Sequence, residues 1–169
     1  VRLVGSEMCI RDSPDHEPVS TATATSTTLM PDSTTNSALN NALAALTSSL
    51  VQYTGECGPW TDGDDDTEMA ALDLFRRRQQ LQIARLVELL RDRDATIEFG
   101  RFPTKYTDLH FVSLENLYPR MIANQEALLE TLKKSATSCR GDEQAEALIA
   151  DAAAEEQRTL EELGTLAAD

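Results

Sequence analysis

From Ala38 to the C-terminus, apolar side chains recur every three or four residues. That period is helical, and it leaves no run of strict alternation for a half-buried strand. Leu39, Leu43, Leu46, Leu50 and Tyr53 form one such stripe. It predicts a first helix from about Ser37 to Gly55, with Asn36 or Ser37 as its N-cap and Gly58-Pro59 as its stop. A second stripe, Met69, Leu72, Phe75, Gln79, Gln82 with Ile83, Leu86, Leu89 and Leu90, predicts a helix from about Thr67 to Arg93. The third stripe reads Leu109, Val112, Asn116, Pro119, Ile122, Glu126, Leu129 and Leu132, in a helix capped by Thr107 or Asp108 and running to about Ser138. Pro119 falls inside it and predicts a kink. The fourth reads Ala145, Leu148, Ala152, Glu155 or Glu156, Thr159, Leu163 and Leu166, from about Asp142 after Gly141 to Ala167.

Four helices with narrow apolar faces bury those faces best against one another. The expectation is an all-α chain, an antiparallel up-down-up-down four-helix bundle over residues 36–169. With aromatics at only 5%, its core must be built mainly from Leu and Ala. Residues 13–35 are rich in Ser, Thr, Ala and Pro and read as a disordered tail or leader, with Met30 a plausible start. Leu3 to Asp12 resembles one translated frame of a transposase-type sequencing adapter, whose mosaic end ATG TGT ATA AGA GAC encodes Met8-Cys9-Ile10-Arg11-Asp12. Residues 1–12 are therefore set aside from the fold as adapter-derived.

The formal charge of −14 repels phosphate backbones and anionic lipid, which argues against nucleic acid and membrane surfaces as partners. No apolar stretch reaches the roughly 20 residues that span a bilayer. Three scattered cysteines, Cys9, Cys57 and Cys139, make neither a disulfide scaffold nor a zinc motif, and a cytoplasmic location is the expectation. Cys57 and Cys139 follow helices that point the same way in an up-down-up-down bundle, so they would lie near one end. Those helices are diagonal there, and a disulfide would need the loops to fold inward. Asp62-Gly63-Asp64-Asp65-Asp66 departs from calcium-loop spacing and reads as carboxylates at a helix N-terminus. Trp60 reads as a lid over the bundle end, and Arg76, Arg77 and Arg78 as a solvated face. His110 is expected to cap, pack or face solvent, with a ligand role as the alternative. No catalytic residue can be assigned.

Polar residues interrupt the stripes: Gln79, Gln82, Asn116, Glu126, Glu156 and Thr159. They are expected to form a buried network that fixes helix register. The segments Gly58-Pro59-Trp60, Ala84 to Leu90, Phe102 to Phe111 and Glu155 to Leu163 resemble the ferritin-like superfamily. That resemblance implies a bundle with a mid-helix di-iron or manganese site, built from Glu on two helices and Glu-x-x-His on the other two. On the matching positions this chain has Gln79 and Gln82, and Glu156 followed by Thr159, so both histidines are missing. Glu126 and Glu156 are the carboxylates left to hold metal. The expectation is a bundle without an intact metal site and with no cofactor, acting as a structural or interaction protein, possible as a homodimer. The alternative is an iron- or manganese-dependent oxidoreductase or storage protein with an altered carboxylate site.

Overall fold

The computed structural model describes residues 33–61 and 67–168. The adapter-like stretch, Met30 and the Asp62–Asp66 run lie outside them. Among the described residues the chain is all helical: α1 (Ser33–Thr47), α2 (Leu50–Cys57), α3 (Thr67–Asp92), a 3-10 turn (Thr104–Leu109), α4 (Leu114–Ser138) and α5 (Glu143–Leu166). The first helix begins inside the stretch expected as tail, and Thr35 is buried.

The expected first helix is broken in two. Thr47 and Ser48 turn their hydroxyls back onto the carbonyls of Leu43 and Ala44, at 2.8 and 2.7 Å. Such bonds compete with the helix ladder. Ser49 is then extended, and its hydroxyl accepts the Gln52 N–H at 3.2 Å as the N-cap of α2. The stripe nevertheless continues across the break, with Leu39, Leu43, Leu46, Leu50 and Tyr53 all buried.

Helix α3 ends two residues after Leu90 in a Schellman turn. Asp94 takes a φ of 51°, Ala95 N–H reaches the Leu90 carbonyl at 3.0 Å and Asp94 N–H reaches Arg91 at 2.9 Å. Helix α5 starts on Asp142, whose side chain accepts the Ala145 N–H at 3.1 Å. The same carboxylate takes both guanidinium nitrogens of Arg93, at 2.7 and 2.9 Å, and the Arg93 bond holds its pKa below the usual range. The stability it contributes is full above the unfolded carboxylate value and is lost as pH falls through the folded one. Asp142→Ala removes cap and pair together. It is expected to cost about 1–2 kcal/mol in chemical denaturation at neutral pH, and an unchanged midpoint would contradict this account.

The apolar core falls into two halves. One collects Leu39, Leu43 and Leu46 with Leu86, Leu90, Leu132 and Ile149. The other collects Leu50 and Val51 with Phe75, Leu117, Met121 and Leu163. These halves give the helix directions. The path α1–α2 runs from the first half to the second; α3 and α4 each run from the second to the first; α5 returns.

The expected up-down-up-down order is therefore corrected to up-down-down-up. Helices α3 and α4 are parallel, and the connection between them travels the length of the molecule along α1 and α2. Side chains of α1 hold it there. Asn40 donates to the Thr96 carbonyl and accepts the Glu98 N–H, each at 2.8 Å, and the Thr47 hydroxyl accepts the Gly100 N–H at 2.9 Å. Neighbouring helices remain antiparallel, because α1 and α5 each pack on both α3 and α4.

Two further expectations change with this order. Cys57 lies in the second core half and Cys139 in the first, both as buried free thiols, so they do not share an end. The third helix starts at Leu114, not at Thr107–Asp108. It runs unbroken through Pro119, which is exposed, as is Glu115, whose carbonyl loses its helical partner there. Trp60 is half-exposed, bridges to Ser113 in parallel fashion and donates its indole N–H to the Phe111 carbonyl at 3.0 Å. No helix among the described residues is long and apolar enough to cross a membrane.

Candidate functional site

The two core halves are separated by a polar layer halfway along the helices. Its centre is Glu156 of α5, which is 1% exposed. Gln79 of α3 donates its amide N–H to Glu156 Oε2 at 2.8 Å, and Gln125 of α4 donates to the same oxygen. Gln125 also donates to the Glu156 backbone carbonyl at 3.1 Å. Behind Gln79, the Ser49 hydroxyl and the Gln52 amide both donate to its Oε1, at 2.8 and 3.0 Å.

The break between α1 and α2 falls at this level, and it supplies the layer. Opening the helix at Ser49 frees a hydroxyl and the first amides of α2. The Gln52 N–H, Ser49 Oγ, Gln79 and Glu156 then form a chain of bonds leading inward. Donors converge on the carboxyl, and no cation pairs with it among the described residues. Burial pushes the Glu156 pKa up. The two amide bonds oppose that rise and the neighbouring Glu155 charge adds to it.

Of the residues singled out from the sequence, Gln79 and Glu156 meet directly. Gln82 is buried and accepts from Arg85 at 3.2 Å, and Thr159 is buried in α5. Glu126 and Asn116 are corrected: both are exposed. The buried face of α4 reads Leu117, Met121, Gln125, Leu128, Leu132 and Ser135, and one residue further along a helix is about 100° around it. Glu126 is thus turned to solvent, and Asn116 sits in the first turn with its amide on Ser113 Oγ at 2.7 Å. Gln125 takes the place expected of Glu126. Its Oε1 is buried without a hydrogen-bond partner among the described residues.

His110 is exposed in the long connection, with Nε2 2.9 Å from the Tyr53 hydroxyl. Of the arginines, Arg76 pairs with Asp73 and Arg78 with Glu162 at 2.8 Å. Among the described residues no three His, Cys, Asp or Glu side chains converge as a metal site. The layer does not fit a di-iron or manganese centre. Gln79 and Gln125 turn N–H donors and not ligand atoms toward Glu156 Oε2, and Glu126 points away, which leaves one carboxylate in the layer.

Ser49, Gln52 and Gln125 were not reached by sequence reasoning. The hydroxyl triplet Thr47-Ser48-Ser49 is the signal for the break. Setting the phase of α4 on Leu117, Met121, Leu128 and Leu132 would have brought Gln125 inward. Compared with family models, with curated proteins and with solved structures, the chain gives no match.

Proposed function

We propose that the helices form a ferritin-like four-helix bundle, with α1 and α2 as one broken helix, and that it serves as a structural or protein-interaction module and not as a di-iron oxidase. The up-down-down-up order with one long crossover supports the ferritin-like reading, since that family joins its second and third helices in this way. The observation that carries the functional half is the pairing of Glu156 with the amides of Gln79 and Gln125. At the level where such bundles hold metal, this chain closes a hydrogen-bond layer on itself.

The interaction half draws on the second end. Trp60, Phe102 and Phe111 are exposed there, around a cluster in which the Tyr53 ring meets Phe102 and Tyr106 at 5.0 and 5.2 Å. Phe111 is 81% exposed and has a φ of 59°, a strained setting for a ring in water. Hydrogen bonds from its N–H to Cys57 and from Trp60 to its carbonyl hold it in place. Self-association into a homodimer and a cytoplasmic location belong to the same proposal, the latter resting on two buried thiols left unpaired.

The test is to expose the full chain to ferrous iron in air, remove free metal and measure iron and manganese per chain by elemental analysis. The expected outcome is no stoichiometric metal with helical circular dichroism intact. About two irons per chain, the complement of the di-iron centres described for this architecture, would overturn the proposal.

A further inference from the structure

A cleft of about 460 Å³ opens beside α4, between its middle turns and the 3-10 turn of the connection. Its apolar wall is Leu50, Leu109, Ala123 and Ala127. That volume is within the range of small-molecule sites. In a chain of net charge −14, the cleft is lined by two cations, Lys105 and Arg120, against one carboxylate, Asp108. Neither cation makes an ion pair within 4.0 Å among the described residues.

A second feature points the same way. Leu50, the first residue of α2, donates its N–H to Asn124 Oδ1 at 2.7 Å. That bond fixes the orientation of the amide, so Asn124 Nδ2 donates to the Tyr106 hydroxyl at 3.0 Å. The Tyr106 oxygen is thereby an acceptor, and its own proton has no acceptor among the described residues. The relay runs from Leu50 through Asn124 to Tyr106, all of which line the cleft. It ends on Tyr106, a lining residue of the same cleft as the two cations. Burial raises the Tyr106 pKa, which keeps that proton in place at neutral pH.

We propose that this cleft is a binding site for a small organic anion, with an oxyanion head, carboxylate or phosphate, on a short apolar body. Lys105 and Arg120 supply charge-assisted donors, Tyr106 supplies a directed neutral one, and the Leu–Ala wall takes the body. The site is separate from the Glu156 layer, and it stands whether or not the layer holds metal.

Isotope-labelled full chain would be titrated with hexanoate, hexyl phosphate and hexanol while its amide resonances are followed by NMR. The expected result is saturable shifts at Lys105–Leu109 and Ala123–Ala127 with one or both anions, and none of comparable affinity with hexanol. The relative affinities of the two anions identify the head the cleft prefers. The double variant Lys105→Gln, Arg120→Gln changes exposed side chains only and should weaken anion binding about tenfold or more. Tyr106→Phe keeps the ring and should weaken it by a smaller factor. Absence of binding by both anions, equal binding of hexanol, or parent-like affinity in the double variant would each overturn the proposal.

Discussion

Glu156→Gln is expected to leave the fold intact and to flatten its stability against pH, whereas Glu156→Ala is expected to cost about 3 kcal/mol. Glutamine has the same shape, and its carbonyl oxygen keeps accepting from Gln79 and Gln125. Alanine leaves two buried amide donors without an acceptor and opens a hole between the core halves. The pH effect follows from burial. The folded chain holds the Glu156 proton at pH values where the unfolded chain has released it. The stability associated with this group is complete below the unfolded carboxyl value and is lost as pH rises through the higher folded one. The parent chain should therefore lose stability between mildly acidic and neutral pH, and Glu156→Gln should not. When Glu156 is protonated, a half-turn of the Gln125 amide presents its unpartnered Oε1 as the acceptor. Urea denaturation at several pH values checks all three chains. Parallel profiles for parent and glutamine variant would show that folding does not shift the Glu156 carboxyl.

Gly100→Ala is expected to destabilise the chain by about 2–3 kcal/mol. A Cβ at this position would lie 2.0 Å from the Ala44 carbonyl oxygen and 2.8 Å from its carbon. Both are backbone atoms of α1, so no side chain can swing aside. The connection must lift, and the Gly100 N–H then leaves Thr47. Gly164→Ala is the control. It is a helical position with nothing within 4 Å of the added carbon, and alanine there should stabilise by about 0.5–1 kcal/mol. Equal denaturation midpoints for the two variants would mean that the close approach to α1 carries no weight.

The parts of this structure that the sequence made legible are those where apolar spacing decides alone. The bounds of α3 and α5 were anticipated to within a residue or so, because apolar residues recur there at helical spacing between clear breakers. The buried positions of Gln79, Gln82, Glu156 and Thr159 followed from the same phase. The phase of α4 was misread because Pro119 and Asn116 were placed on a stripe that began too early, at Leu109. That residue is buried from the 3-10 turn instead, so its burial says nothing about the helix that follows. The break at Ser49 escaped because the apolar stripe crosses it unchanged. The connection from Ala95 to Ser113 escaped for a different reason. Its direction is set by single side chains, Asn40 and Thr47, reaching from the outer side of α1, and by the absence of a side chain at Gly100. No periodicity records such contacts.

That crossover has a consequence for how the chain reaches its native state. Helices α4 and α5 are joined by a four-residue turn, 139–142, and can form as a local hairpin early in folding. Helices α3 and α4 gain nothing from being consecutive, because they lie parallel on opposite sides of the core with some twenty residues between them. The α1–α3 pair must instead be brought onto the hairpin from far away in sequence, closing a long loop before burial compensates its entropy. Folding is thus expected to be slower than the local contacts of a helical protein alone would give, with the α4–α5 hairpin native-like in the transition state and the strap along α1 among the last elements to dock.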